Sequence, residues 1–296
     1  MSEPDTHADQ ADDPRPPRLR SVLYIPGANE RALVKARDLP ADALILDLED
    51  AVAAGAKAEA RERVCAMVAS GAYGERTVAI RVNSIGTEWH AEDLLAAGVA
   101  GPAAIVVPKV GSDADVLGIE QALRSADAPQ NTRIWAMLET PAAVLRAAEI
   151  AGASERLSTL VMGTNDLASE LYAELAPGRP TLQTSLAICL LAARATGKAI
   201  VDGVYNDVRD PDGFEAECRQ GRQLGFDGKT LIHPSQVEPC NRTFTPSAEE
   251  VTHAHRVIDA FQEAENAGRG VATVDGKLIE NLHVANARRV LATADA

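Results

Sequence analysis

Eight short apolar runs, each followed by an Ala-rich amphipathic stretch, recur between Ser21 and His233, and no other feature narrows the fold so far. The runs begin at Ser21, Ala43, Thr77, Ala104, Ile134, Thr159, Lys198 and Gly228. Short unbroken apolar runs are what strands buried on both faces look like, and a helix between consecutive runs is the connection that a parallel sheet demands. The pattern predicts helices over about 30–38, 57–70, 88–97, 114–125, 181–196 and 211–224, with another starting at Pro141. Eight such units in about 215 residues match the (β/α)8 TIM barrel, an α/β fold, in count and length. An open doubly wound sheet is the competitor. No Gly-x-Gly-x-x-Gly follows the first run, which counts against a dinucleotide fold. Composition agrees with layered packing: 46% of residues are hydrophobic but only 3% aromatic, so the core is built from Ala, Val, Leu and Ile.

The segments flanking the repeat differ from it. Residues 1–18 are rich in Asp and Pro and nearly free of large apolar side chains, which predicts a disordered tail. The barrel is expected over 19–245. Residues 246–296 form an extension: an amphipathic helix over 247–267, a hairpin turning at Asp275-Gly276, and a last helix over about 282–291. Such an extension must pack on the outside of a closed barrel or on another subunit.

The net charge of −14 disfavours nucleic acid and anionic membrane surfaces as partners. Cys65, Cys189, Cys218 and Cys240 show no metal or redox spacing. There is no apolar run long enough to span a bilayer, and no basic and apolar leader at the start, so a cytoplasmic soluble protein is the expectation.

A barrel carries its function at the carboxyl ends of the strands. Those ends read Pro26-Gly27, Glu49-Asp50, Arg81 and Asn83, Lys109, Glu139, Asn165-Asp166, Asp202-Gly203 and His233. Glu139 and Asp166 end consecutive runs, and two carboxylates without His or Cys suit a hard cation, Mg²⁺ or Mn²⁺, that keeps positions open for a chelating substrate. The competing reading is that each acid caps the helix after it. Arg81 stands in an otherwise apolar run, where its fork of donors suits a carboxylate or a developing oxyanion. An ion pair with Glu49 or Asp50 is the alternative, and the two roles are compatible. Glu49 and Asp50 are expected to hold water at the metal. Arg20, Arg31, Lys35 and Lys57, near the first two strand–helix junctions, are candidates to meet phosphates, Arg20 and Lys35 foremost; solvated helix charges are the alternative. His233 is expected to be a structural cap.

Several motifs then fall in one order: Ser21-Val22-Leu23-Tyr24-Ile25-Pro26-Gly27, Leu46-Asp47-Leu48-Glu49-Asp50, Ile80-Arg81-Val82-Asn83, Val107-Pro108-Lys109, Leu138-Glu139-Thr140-Pro141, Gly163-Thr164-Asn165-Asp166 and Gly228-Lys229-Thr230-Leu231-Ile232-His233-Pro234. The set resembles the HpcH/HpaI aldolase–citrate lyase β-subunit family, in particular its citrate-lyase-β-like branch of malyl-CoA and citramalyl-CoA lyases. The resemblance implies a barrel that binds Mg²⁺ through Glu139 and Asp166, with Arg81 on the substrate. It implies that Gly163, Thr164 and Asn165 offer backbone amides to a substrate carboxylate. It also implies a homo-oligomer, trimer or hexamer, in which the C-terminal segment reaches a neighbour's site. The family's acid/base aspartate after the Asp-Gly-Lys turn is matched here by Glu280, one methylene longer. The implied reaction is Mg²⁺-dependent carbon–carbon cleavage or formation of a 3-hydroxyacyl-CoA thioester, giving a 2-oxoacid and an acyl thioester. Hydrolysis of the same thioester is one alternative. A citrate-lyase β subunit that acts only with an acyl-carrier partner is another.

Overall fold

The computed structural model describes residues 18–295, which fall into two compact units, Leu19–Phe244 and the chain from Thr245 onward. The expected disordered tail lies almost wholly outside the described residues.

In the first unit, eight parallel strands close into a barrel in chain order. They are β1 (Ser21–Pro26), β2 (Ala43–Asp47), β3 (Thr77–Arg81), β4 (Ala104–Val107), β5 (Arg133–Leu138), β6 (Leu157–Met162), β7 (Ala199–Asp202) and β8 (Gly228–Leu231). Closure is made by β8 pairing back onto β1, with Val22 opposite Thr230. The connecting helices are α1 (Glu30–Lys35), α2 (Lys57–Ala69), α3 (His90–Ala100), α4 (Asp113–Ser125), α5 (Pro141–Leu145), α6 (Ala147–Gly152), α7 (Thr164–Glu170), α8 (Gln183–Ala195) and α9 (Pro211–Leu224). A further helix, α10 (Val237–Phe244), follows β8.

Three elements differ from the sequence expectation. The helix that starts at Pro141 is broken at Arg146, which takes φ −109° and ψ 15°. The stretch around and after Asp166, where the sequence pattern predicts no helix before 181, is the short helix α7, and Asp166 sits in its first turn. Helix α10 had no counterpart in the reading. Both unexpected helices are short, and short helices draw their stability from tertiary packing rather than from a legible period; α7 buries Thr164, Leu167 and Ala168.

The strands bury both faces, and alternation divides the core in two. Val22, Ile45, Ala79, Val106, Trp135, Met137, Val161 and Val201 fill the barrel interior. Leu23, Leu44, Ile80, Ile105, Leu138 and Ile200 face the helices. Residues two apart share a face. Tyr24, Asp47, Arg81 and Glu139 each lie two residues beyond an interior residue, so all four point into the mouth of the barrel.

The second unit contains α11 (Ala248–Asn266), the antiparallel pair β9 (Ala272–Val274) and β10 (Lys277–Ile279), and α12 (Asn281–Asp295). Ser247 and Glu250 form a capping box that starts α11. Asp275 and Gly276 both take positive φ, 50° and 75°, as a tight hairpin turn requires. Val257, Phe261, Val274, Ile279 and Val284 form the core of this unit. Among the described residues no helix is long and apolar enough to cross a membrane.

Candidate active site

A cavity of about 380 Å³ opens at the carboxyl ends of the strands, lined by Tyr24, Asp47, Asp50, Arg81, Met137, Glu139, Gly163, Thr164, Asn165, Asp166 and Asn206, among others. Its size suits a small-molecule ligand.

One wall is organised by Arg81. In-register pairing sets Asp47 of β2 beside Arg81 of β3. The guanidinium grips the Asp47 carboxylate at both ends, Nε to Oδ1 2.6 Å and Nη2 to Oδ2 2.7 Å. Nη1 approaches Glu49 Oε2 at 3.0 Å and Asp50 Oδ2 at 3.6 Å. The tightest partner is therefore Asp47, where the sequence reading had named Glu49 or Asp50. Asp47 is held in turn by the backbone amides of Glu49 and Ala51. The Tyr24 ring lies under the guanidinium, 4.7 Å from centroid to Cζ. Burial pushes the Glu49 carboxyl above its ordinary pKa, only partly opposed by Arg81 and by the Ser84 hydroxyl that donates to it.

The opposite wall carries the carboxylate pair. Glu139, one residue past β5, is only 2% exposed. Gly163 leaves room for it: a Cβ there would fall on the Glu139 side chain. Lys109 links the two acids. It sits in the left-handed region with φ 52°, uncommon for a residue with a side chain. In that conformation its amide donates to Glu139 Oε1 at 2.8 Å while its ammonium lies 3.3 Å from Asp166 Oδ1. Burial and the charges of Asp166 and Glu49 drive the Glu139 pKa up to about 8. Burial acts against the Lys109 ammonium, but the hydrogen bond and charge of Asp166 outweigh it and raise its pKa.

These residues fit a hard divalent cation. The donors are carboxylate oxygens only, and one is buried beside other carboxylates that Lys109 does not fully compensate. Among the described residues no cluster of three or more His, Cys, Asp or Glu side chains could hold a metal, so water and substrate oxygens would complete the shell.

Gly163 precedes α7, whose leading amides, including those of Thr164 and Asn165, have no intrahelical acceptor. Thr164 is buried, and a Cβ on Gly203 would fall on its side chain, so the loops after β6 and β7 meet closely. Asn165 and Asn206 exchange side-chain hydrogen bonds of 3.1 and 2.8 Å across the same two loops.

Other sequence candidates lie elsewhere. Arg20 is at the amino end of β1, on the opposite rim, where Nε and Nη2 grip Asp42 at 2.8 and 2.7 Å. The expectation that it meets a phosphate at the active rim is not met, because it precedes the strand rather than following it. Lys35 is exposed in the last turn of α1, which has run back from the active rim. Arg31 is exposed in the first turn of that helix. Lys57 is buried and saturated by Leu48 O, Glu49 O and Asn83 Oδ1, so it clamps the loop after β2 and is not open to a phosphate. His233 caps the turn at 234–236 together with Gln236. Asp202 faces the helix layer, in a buried network with Arg179, Lys229 and Glu217. Glu280 is exposed in the second unit, its amide donating to His283 Nδ1 at 3.0 Å. Tyr24 escaped the candidate set, while Asp47, whose crowding with Glu49 and Asp50 calls for a cation or Arg81, and Lys109, noted at its strand end, were given no role of their own. Tyr24 and Asp47 share interior parity with Arg81 and Glu139, a signal readable once Arg81 is taken as inward.

A family model, HpcH/HpaI aldolase/citrate lyase, matches residues 20–234, the whole barrel. The chain belongs to this family. Among curated relatives it is 52% identical over 278 residues to a (3S)-malyl-CoA thioesterase of Cereibacter sphaeroides, covering 94% of this chain and 95% of that one. It is 37% identical over 281 residues to the citrate lyase subunit beta of Escherichia coli, covering 93% of each. Among solved structures it resembles the CitE protein of Mycobacterium tuberculosis in complex with magnesium, acetoacetate and coenzyme A. That match has 30% identity and TM-score 0.75, covering 93% of this chain and 98% of that one. The family is one of enzymes, so the cavity is a candidate active site with relatives on both the hydrolytic and the lyase side.

Proposed function

We propose that this protein is a Mg²⁺-dependent enzyme acting on the CoA thioester of a short 3-hydroxy dicarboxylic acid, malyl-CoA or a close homologue, and that it hydrolyses the thioester. The carrying observation is the 52% identity, across nearly the full length of both chains, to a (3S)-malyl-CoA thioesterase. The cavity supports it: two carboxylates fit for a cation face a pocket of small-molecule size, with Arg81 on the other wall. Magnesium there would supply positive charge to the substrate's hydroxyl and carboxylate oxygens.

The chain's own residues would do the rest. Glu139 and Asp166 hold the cation, and Lys109 keeps the two carboxylates in register before it arrives. Leading amides of α7 receive the acid's carboxylate. Arg81, pinned by Asp47, presents a fixed positive face to the thioester end, where negative charge develops. Glu280 from a neighbouring copy is assigned the proton transfer: it takes a proton from water as the water oxygen attacks the thioester carbonyl. The carbon–sulfur bond then breaks and the thiolate leaves with that proton, giving the free acid and CoA. This assignment needs a homo-oligomer, trimer or hexamer.

A second reading, carbon–carbon cleavage, is favoured by the 37% identity to a citrate lyase subunit beta. There the same acid would protonate the enolate carbon of the departing acyl thioester, and the Glu49–Asp50 side would receive the hydroxyl proton. Incubation of the purified protein with (3S)-malyl-CoA and Mg²⁺ separates the outcomes. Free thiol without a 2-oxoacid is expected; glyoxylate with an intact thioester supports cleavage. Neither product would overturn both readings, and turnover only on an acyl-carrier thioester would move the protein to the subunit role.

A further inference from the structure

One side chain in the cavity has a polar group that the fold does not use. Tyr24 comes from β1 and reaches across the barrel mouth, where among the described residues its hydroxyl has one hydrogen-bond partner, the Met137 thioether of β5, at 3.9 Å. A thioether is a weak acceptor, and a hydroxyl can both donate and accept. By contrast, the buried polar groups of Lys57, Asp47 and Lys229 find strong partners. The Tyr24 ring does have a structural job, carrying the Arg81 guanidinium 4.7 Å above its face. The hydroxyl at its tip does not share in that job.

Its place is informative. Met137 and Glu139 lie two residues apart on the same strand face, so the hydroxyl sits on the cavity floor between the carboxylate wall and the Arg81 wall. Tyr24, Arg81, Met137 and Glu139 all line the one cavity. A substrate that binds a cation at Glu139 and Asp166 and extends toward Arg81 must pass over this hydroxyl. In a malyl-type thioester the next oxygen along the chain, after the carboxylate and hydroxyl that would meet the cation, is the thioester carbonyl.

We propose that Tyr24 is a catalytic residue whose hydroxyl donates a hydrogen bond to the thioester carbonyl oxygen of the bound substrate, beside Arg81. This rests on the reading that the substrate is a 3-hydroxyacyl thioester. It goes further by naming a donor for the oxygen that gains negative charge in hydrolysis or in cleavage. Burial raises the phenol pKa above its ordinary value, with Arg81 opposing, so the group stays a donor at neutral pH.

Tyr24→Phe tests this cleanly, because it keeps the ring under Arg81 and removes one oxygen. The expected result is a kcat on malyl-CoA lower by about 100-fold, the usual loss for one oxyanion donor. Mg²⁺ affinity by calorimetry should stay within about twofold, and the thermal midpoint should be unchanged or slightly higher, since no strong hydrogen bond is lost. Wild-type turnover in the variant overturns the proposal. So does a variant whose lower activity comes with a lower midpoint and weaker Mg²⁺ binding, the signature of a purely structural tyrosine. Failure of the underlying reading looks different: the wild type itself then releases neither thiol nor 2-oxoacid, and the assignment of Tyr24 falls with it.

Discussion

Glu139 is the residue whose replacement reports most directly on the carboxylate pair. In the metal-free fold its pKa rises from 4.5 to about 8, through burial first and then the charges of Asp166 and Glu49. The unfolded chain lacks both effects. Between those two values the unfolded state has lost the proton while the native state keeps it, so the native state binds more protons and stability falls as pH rises. The favourable contribution is complete below about 4.5 and is gone once pH has passed through about 8. At 1.36 kcal/mol per pKa unit, the span is on the order of 5 kcal/mol. Glu139→Gln keeps the acceptor for the Lys109 amide and removes the ionisation. Urea unfolding in a chelator at fixed protein concentration, from pH 5 to pH 9, should show a steeper loss of stability for wild type than for the variant. The two curves should part by a few kcal/mol across that window, and groups common to both cancel. Added Mg²⁺ should restore the wild type at pH 8–9 and leave the variant where it was. Parallel curves, or equal rescue of both, would refute the claim that two undercompensated carboxylates share this wall.

Two further outcomes follow from the surroundings of that pair. Lys109→Met removes the ammonium that competes with a cation for Asp166. With both partners partly exposed the pair is worth about 1 kcal/mol, so Mg²⁺ affinity in the absence of substrate should rise about fivefold by titration calorimetry; a weaker affinity would show that the lysine organises the pair more than it competes. Lys229→Met leaves the fully buried Asp202 with Arg179 as its remaining cation, and breaking such a buried pair costs about 3–5 kcal/mol. A lowered urea midpoint with unchanged Mg²⁺ affinity is expected, and an unchanged midpoint would show that Arg179 alone suffices.

Much of the site could be read from strand ends. Glu139 and Asp166 stood out because each ended an apolar run with an acid, and the structure sets both on one cavity with Lys109 between them. Arg81 stood out because a charge inside an apolar strand needs a partner, though the partner it takes is Asp47. Asp202 shows where such reading fails. It also ends a run, yet its side chain turns outward into the helix layer, while its neighbour Val201 faces the barrel interior. Lys57, read as either a solvated helix charge or a phosphate contact, is instead buried and consumed by two backbone carbonyls and Asn83.

What the sequence determined by itself was the number, order and direction of the strands, because eight apolar runs separated by helical stretches permit few other foldings. It also determined which residues end the strands at the functional rim. What only tertiary structure decided was which face of each strand looks inward. Strands buried on both sides carry no polar–apolar alternation, so a shift of one residue leaves the sequence pattern intact while it reverses every side chain. Closure of β8 onto β1 sets that parity for the whole barrel. It sends Tyr24, Asp47, Arg81 and Glu139 into the cavity, and turns Asp202 and Lys229 away from it.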